Sequence, residues 1–208
     1  MKKLLLTTTL GILTFASFGQ QKVSDAFLDS YTQEKSGNYL GAAMSITSVY
    51  NQASYEHNLR LGYLKYMCGA NTESITYYSK AIELMPFAIE PRIGYTLPLA
   101  AMESWTAVIE QYTTILKIDP NNTTINYRLG YIYYIRRNYP EALKYFEKIV
   151  KLYPFDYHGS LMMGWTNYQL GKIDEAITYF NRVSLNSPTD KSAKEGLDLI
   201  KGLDIKKK

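Results

Sequence analysis

The chain has 208 residues, 46% hydrophobic and 20% charged, with a formal charge of +4. Those proportions belong to a folded protein and exclude wholesale disorder. Setting aside Lys2 and Lys3 leaves 21 basic against 19 acidic residues, a near-neutral balance that excludes the concentrated basic footprint of a nucleic-acid binder.

The N-terminus, MKKLLLTTTLGILTFASFGQQ, carries two lysines, an apolar stretch from Leu4 to about Phe18, and small residues at Ser17 and Gly19. A stretch of about 15 apolar residues falls short of the roughly 20 that span a bilayer. The expectation is a signal peptide over residues 1–19, cut after Gly19, with an uncleaved anchor as the alternative. It implies an exported, periplasmic protein with no stable membrane insertion after cleavage. No cysteine follows the stretch, which argues against a lipid anchor. Cys68 is the only cysteine, so no internal disulfide can form and stability must come from packing. Its place beside Leu64 near a helix end predicts a small buried residue. Lys206, Lys207 and Lys208 read as a solvated tail.

Prolines set the period of the remaining chain. Pro86, Pro120, Pro154 and Pro188 stand 34 residues apart, closing the segments KAIELMP, TILKIDP, KIVKLYP and RVSLNSP. Between them, Leu129, Gly130, Tyr133, Ala142, Phe146 and Pro154 recur as Met163, Gly164, Gly171, Ala176, Phe180 and Pro188. Earlier units are weaker. One has Leu61, Gly62, Gly69, Tyr78, Ala81 and Pro86, with Ser74 for the small residue; the next has Ile93, Gly94, Val108, Tyr112 and Pro120. This pattern resembles the tetratricopeptide repeat, a helix pair of 34 residues.

The resemblance implies an all-α fold, a right-handed superhelical solenoid of antiparallel helix pairs over residues 20–208. About five units are expected, at about 23–54, 55–88, 89–122, 123–156 and 157–188, with a capping helix at 189–203. The first unit shows Gly37, Tyr39 and Ala42 but has Ser54 where a closing proline would stand. In the third, 14 residues separate Gly94 from Val108 where the others have 12, and Pro98 falls inside the first helix. Two extra residues and a helix kinked or ended near Leu97 are therefore expected. After Pro188, a cap at Thr189 or Asp190 and apolar Ala193, Leu197 and Ile200 at helical spacing predict the closing helix.

Signals for catalysis are poor. His57 and His158 stand in no metal-ligand spacing, and HGSLMMG around Ser160 lacks the glycine pair of a nucleophile elbow. No phosphate-cradling glycine loop and no cysteine pair for zinc occurs. Glu56 beside His57 and Asp156 near His158 read as charges in the first turn of a helix. The expectation is a protein that is not an enzyme, with no catalytic residue, cofactor or metal.

Three tetrapeptides suggest a binding face instead: RLGY at 60–63, RIGY at 92–95 and RLGY at 128–131. In tetratricopeptide arrays the first helix of each pair lines a concave groove. By resemblance, the residue after the Leu-Gly pair faces into it, here Tyr63, Tyr95, Tyr131 and Trp165. Tyr66, Tyr134 and Tyr168 lie three residues further on, and Arg60, Arg92 and Arg128 three residues before, on the same helical face. Arginine and tyrosine dominate binding hot spots. The implied function is a non-catalytic scaffold that holds an extended peptide or protein segment in this groove. Aromatic faces also stack on sugars, so an envelope glycan or peptidoglycan is a second occupant, and a structural subunit of an envelope complex a third reading. The plainer alternative makes the rings wedges between helices and pairs Arg60 or Arg128 with a helix-end carboxylate. The lysine and asparagine clamp of chaperone-binding relatives is absent, with aromatic residues in the places of its asparagines.

Overall fold

The computed structural model describes the backbone of residues 2–205 and the side chains of residues 19–203. Among the described residues there are helices and no strand: α1 (Lys2–Lys35), α2 (Tyr39–Thr47), α3 (Tyr55–Met67), α4 (Asn71–Leu84), α5 (Glu90–Ala101), α6 (Trp105–Ile118), α7 (Thr123–Ile135), α8 (Tyr139–Leu152), α9 (Tyr157–Gln169), α10 (Ile173–Asn186) and α11 (Lys191–Ile205). The expected signal segment, Gly19 apart, and the Lys206–Lys208 tail lie outside the described side chains. Among the described residues no helix is long and apolar enough to cross a membrane. The chain divides into two compact units, Met1–Gln111 and Tyr112–Lys208.

Successive helices keep the period of the prolines. α4, α6, α8 and α10 begin at Asn71, Trp105, Tyr139 and Ile173, and α3, α5, α7 and α9 end at Met67, Ala101, Ile135 and Gln169. The turn after each first helix contains one residue of positive φ: Gly37, Gly69, Glu103 (57°), Arg137 (58°) and Gly171. This left-handed step reverses the chain, and glycine takes it without a Cβ penalty.

The third pair corrects the sequence reading. Counting by 34 aligns Thr96, not Gly94, with Gly62, Gly130 and Gly164. From Thr96 the interval to Val108 is the same as in the other units, so α5 carries no insertion. It also runs through Pro98 to Ala101. Pro98 sits in the last turn, so the one intrahelical bond its missing amide removes is that to the Gly94 carbonyl. The Thr96 hydroxyl donates to the Ile93 carbonyl at 2.7 Å just before it. The Met102 amide then returns to the Pro98 carbonyl at 3.0 Å and closes the helix. Cys68 is a second correction: it is the C-cap of α3 and is exposed, because the helix ends there and the core lies one turn behind.

Each unit has its own core. In the first, Leu61 and Leu64 of α3 pack with Ala42, Ala43 and Ile46 of α2. Tyr78 of α4 lies between two glycines: a Cβ on Gly62 would fall 2.8 Å from its ring, and one on Gly94 2.3 Å. In the second unit, Phe146 packs against Gly130 and clusters with Ile149, Val150, Met162 and Met163. Phe180 of α10 is held between Gly164 of α9 and Gly196 of α11. Around it close Ala176, Val183, Ala193 and Ile200. Asp190 is the cap of α11: one carboxylate oxygen accepts the Ala193 amide at 2.7 Å, and the other accepts the Tyr157 hydroxyl at 2.6 Å.

His57 is buried in the first unit, its Nδ1 accepting the Asn51 amide at 3.0 Å beside the rings of Phe27 and Tyr50. Burial lowers its pKa, with Glu56 opposing the shift. Between the folded and unfolded pKa values the unfolded chain binds more protons, so stability rises with pH there. The contribution is complete above the unfolded value of about 6.5 and disappears as pH falls through the lower folded one. Urea midpoints of the native chain should therefore drop between about pH 7 and 5. His57→Asn, which keeps an acceptor but cannot take the proton, should flatten that fall; parallel profiles would exclude His57 as its source.

Candidate functional site

The residues expected to line the groove fall into two kinds once their contacts are traced. In the first unit, Arg60 is only 8% exposed. Its Nη1 pairs with Glu34 of α1 at 2.5 Å, and its Nε and Nη2 donate to the Ser30 hydroxyl at 3.1 and 3.0 Å. The guanidinium lies 4.0 Å from the Tyr31 ring centroid and 5.9 Å from that of Tyr63. Arg60 is thus neutralised and held inside the protein. Tyr63, half-buried beside this group, has its phenol pKa raised by burial and by its hydrogen bond to Glu34. Tyr66 is also half-buried.

Arg92 and Tyr95 do not belong to the same row. RIGY is displaced by two residues from the 34-residue register. Arg92 therefore takes the position of Asn58 and Asn126, and Tyr95 that of Leu61 and Leu129. The contacts agree. Asn58 donates to the Gln52 carbonyl at 3.0 Å, Asn126 to the Pro120 carbonyl at 3.1 Å, and Arg92 to the Pro86 carbonyl at 2.9 Å. All three tie the loop before a first helix to that helix, and a second Arg92 bond runs to Gln111 at 3.0 Å. Leu97, not Tyr95, stands at the position of Tyr63 and Tyr131.

In the second unit the predicted residues come together on α7 and α9. Tyr131 is 44% exposed and stacks on Tyr127 with centroids 6.1 Å apart and planes 7° from parallel. Arg128 donates to the Tyr112 hydroxyl at 3.2 Å and, among the described residues, has no carboxylate partner. Tyr134 meets Tyr139 edge to face at 5.4 Å. Trp165 is a wedge as much as a surface: it packs edge-on against Phe180 at 5.1 Å and donates its indole N–H to Ser192 of α11 at 2.9 Å. Tyr168 meets Trp165 at 5.9 Å and faces a cleft beside Leu199 and Leu203 of α11.

Two members of the face went unread in the sequence. Tyr127 lies four residues before Tyr131, one helical turn away, a spacing visible in the sequence. Tyr31 was hidden because the first unit is two residues shorter, as Gly37 and Gly69 show. Thr124, Tyr127, Arg128, Ile149, Asp156 and His158 line a cavity of about 330 Å³, and His158 meets the Tyr127 ring at 5.8 Å. Among the described residues no group of three His, Cys, Asp or Glu side chains could hold a metal ion.

Family models described as tetratricopeptide repeat match residues 124–156 and 160–190. The structure is similar to the crystal structure of a tetratricopeptide repeat protein from Parabacteroides merdae ATCC 43184, with a TM-score of 0.73 over 88% of this chain and 74% of that one, at 21% identity. The chain contains tetratricopeptide repeats, at 124–156 and 160–190. This tetratricopeptide-repeat protein is also similar in fold to a MamA protein, with a TM-score of 0.68 over 79% of this chain and 91% of that one, at 18% identity. A double mutant of MamA from RS-1 aligns with a TM-score of 0.69 over 82% and 97%, at 16% identity. No curated protein matches the sequence. The repeats place the tetratricopeptide-repeat protein in a class of protein–protein interaction scaffolds, an all-α solenoid fold.

Proposed function

We propose that this tetratricopeptide-repeat protein is a non-catalytic periplasmic scaffold that holds an extended segment of another protein on the face of its first helices. The observation that carries this reading is the aromatic residue at one register position of α1, α3, α7 and α9, Tyr31, Tyr63, Tyr131 and Trp165, with Leu97 at that position of α5. Tyr131 among them is exposed and already stacked on Tyr127. A pre-stacked ring pair offers apolar area with little rotamer freedom left to lose on binding. Export rests on the lysine-led apolar segment at 1–19, and fractionation of cells expressing the tagged chain tests it.

The partner is sought by crosslinking the tagged chain in its native envelope and identifying co-purifying proteins by mass spectrometry. Tyr131→Ala should weaken the partner about thirtyfold, or about 2 kcal/mol, as for a hot-spot ring. Its melting should stay near that of the native chain, because the ring lies at the surface. Trp165→Ala does not isolate binding, since it also removes the contact with Phe180. A partner retained equally by folded Tyr131→Ala would move the binding surface away from α7.

A further inference from the structure

In the first unit, α1 and α3 form an aromatic groove of about 310 Å³, walled by Phe27 and Tyr31 of one helix and Leu59 and Tyr63 of the other. Tyr31 is 50% exposed, so the groove opens to solvent. Arg60 also lines it, but this side chain is buried and its charge is answered by Glu34. Its guanidinium lies 4.0 Å from the Tyr31 centroid and covers one face of that ring. Phe27, Leu59 and Tyr63 are left as apolar wall.

The charge of the groove is set by two carboxylates of the same unit, Glu56 in the first turn of α3 and Glu90 in that of α5. Each is held in place by a neutral donor: Glu56 accepts the Ser54 hydroxyl at 2.8 Å, and Glu90 the Tyr55 hydroxyl at 3.2 Å. Hydrogen bonds from its own amide and from Ser54 hold Glu56 below the usual carboxylate range, so it is ionised at neutral pH. Both carboxylates act on one phenol: burial, then Glu90, then Glu56 push Tyr55 up to about 12. Among the described residues neither has a cation paired with it. The two features ask different things of one occupant. The apolar wall favours an aliphatic stem, and the fixed carboxylates favour a cation with N–H groups to donate. An acidic side chain would be repelled, and a neutral apolar one would strip water from the carboxylates without replacing it.

Resting on the scaffold reading above, we infer that the groove of the first unit takes a lysine or arginine side chain of the held segment, its stem against Phe27, Leu59 and Tyr63 and its charged head at Glu56 and Glu90. The Tyr63 ring adds a face on which a cation is attracted. Because both carboxylates are already oriented by hydroxyls, little ordering remains to be done on binding. Charge complementarity of this kind fixes the register of a bound chain more than its affinity.

The test is a selection from a random twelve-residue peptide library against three full-length proteins: the native chain, the Glu56→Gln/Glu90→Gln double variant, and an Asp174→Asn/Glu175→Gln variant. The last loses the same charge at two exposed sites in the first turn of α10, away from the groove. Glutamine keeps an acceptor for the Ser54 and Tyr55 hydroxyls, and both glutamates are exposed. Circular dichroism confirms folding before selection, and Glu90→Gln alone replaces the double variant if that does not fold. Peptides enriched on the native chain should carry lysine or arginine at one position. The groove variant should bind them about tenfold more weakly and lose that preference, while the remote variant keeps it. Enriched peptides with no basic position, or a basic preference that the groove variant retains or the remote variant equally loses, would overturn the inference while leaving the scaffold reading intact. A library from which nothing is enriched would remove both.

Discussion

Phe180→Ala should destabilise the second unit by about 4 kcal/mol, the loss expected when a fully buried phenylalanine is deleted from a core that cannot close around the space. The ring has no exposed surface and is gripped by Gly164 on one side and Gly196 on the other. The more telling result is its coupling to Gly196. A helical glycine replaced by alanine ordinarily gains roughly 1 kcal/mol. At Gly196 the new Cβ would stand 2.4 Å from Cε2 and Cζ of Phe180, so overpacking should reverse the sign and cost about 1–3 kcal/mol. In the Phe180→Ala background the obstruction is gone, and Gly196→Ala should become neutral or stabilising. Urea denaturation of the four proteins measures the cycle. An equal cost of Gly196→Ala in both backgrounds would show that the ring is not what the glycine makes room for.

Glu34→Ala is the second large effect, at about 2–3 kcal/mol. It leaves the guanidinium of Arg60 in the interior with a hydroxyl in place of its counter-charge, and an uncompensated buried charge costs more than the pair contributes. Glu34 is itself 24% exposed, which keeps the cost below that of breaking a fully buried pair. Arg60→Met, which removes the charge and keeps an apolar stem over Tyr31, should cost less than Glu34→Ala. If the order is reversed in urea midpoints, Arg60 stabilises through its stem packing rather than through the ion pair.

The repeat period, the antiparallel pairing and the small-residue positions were legible in the sequence because they follow from local constraints. A left-handed turn favours glycine, a second helix ends before proline, and a close helix contact excludes a large side chain. The third unit misled because RIGY copies RLGY in letters while lying two residues out of register. Only a count from the flanking prolines reveals that Thr96 fills the glycine position and that Arg92 does the work of Asn58 and Asn126. The pairing of Arg60 with a helix-end carboxylate was one of the readings the sequence left open, but which carboxylate could not be picked out. It depends on Glu34 and Ser30, residues of a unit that is itself two residues short, so the pairing falls outside any fixed spacing. Arg128 carries the same letters around it and a different electrostatic state, because no carboxylate meets it among the described residues.

The placing of Phe180 between α9 and α11 changes where this array can be cut. A shortened chain that stops after Pro188, at an apparent repeat boundary, would strip one wall from the ring and leave aromatic surface open to water or to another molecule. A chain that keeps α11 ends on a helix whose buried side, Ala193, Gly196 and Ile200, is already spent on its neighbours. A cut that keeps the ring covered therefore falls after the first helix of the next pair and not at the repeat boundary, with both flanking helices retained.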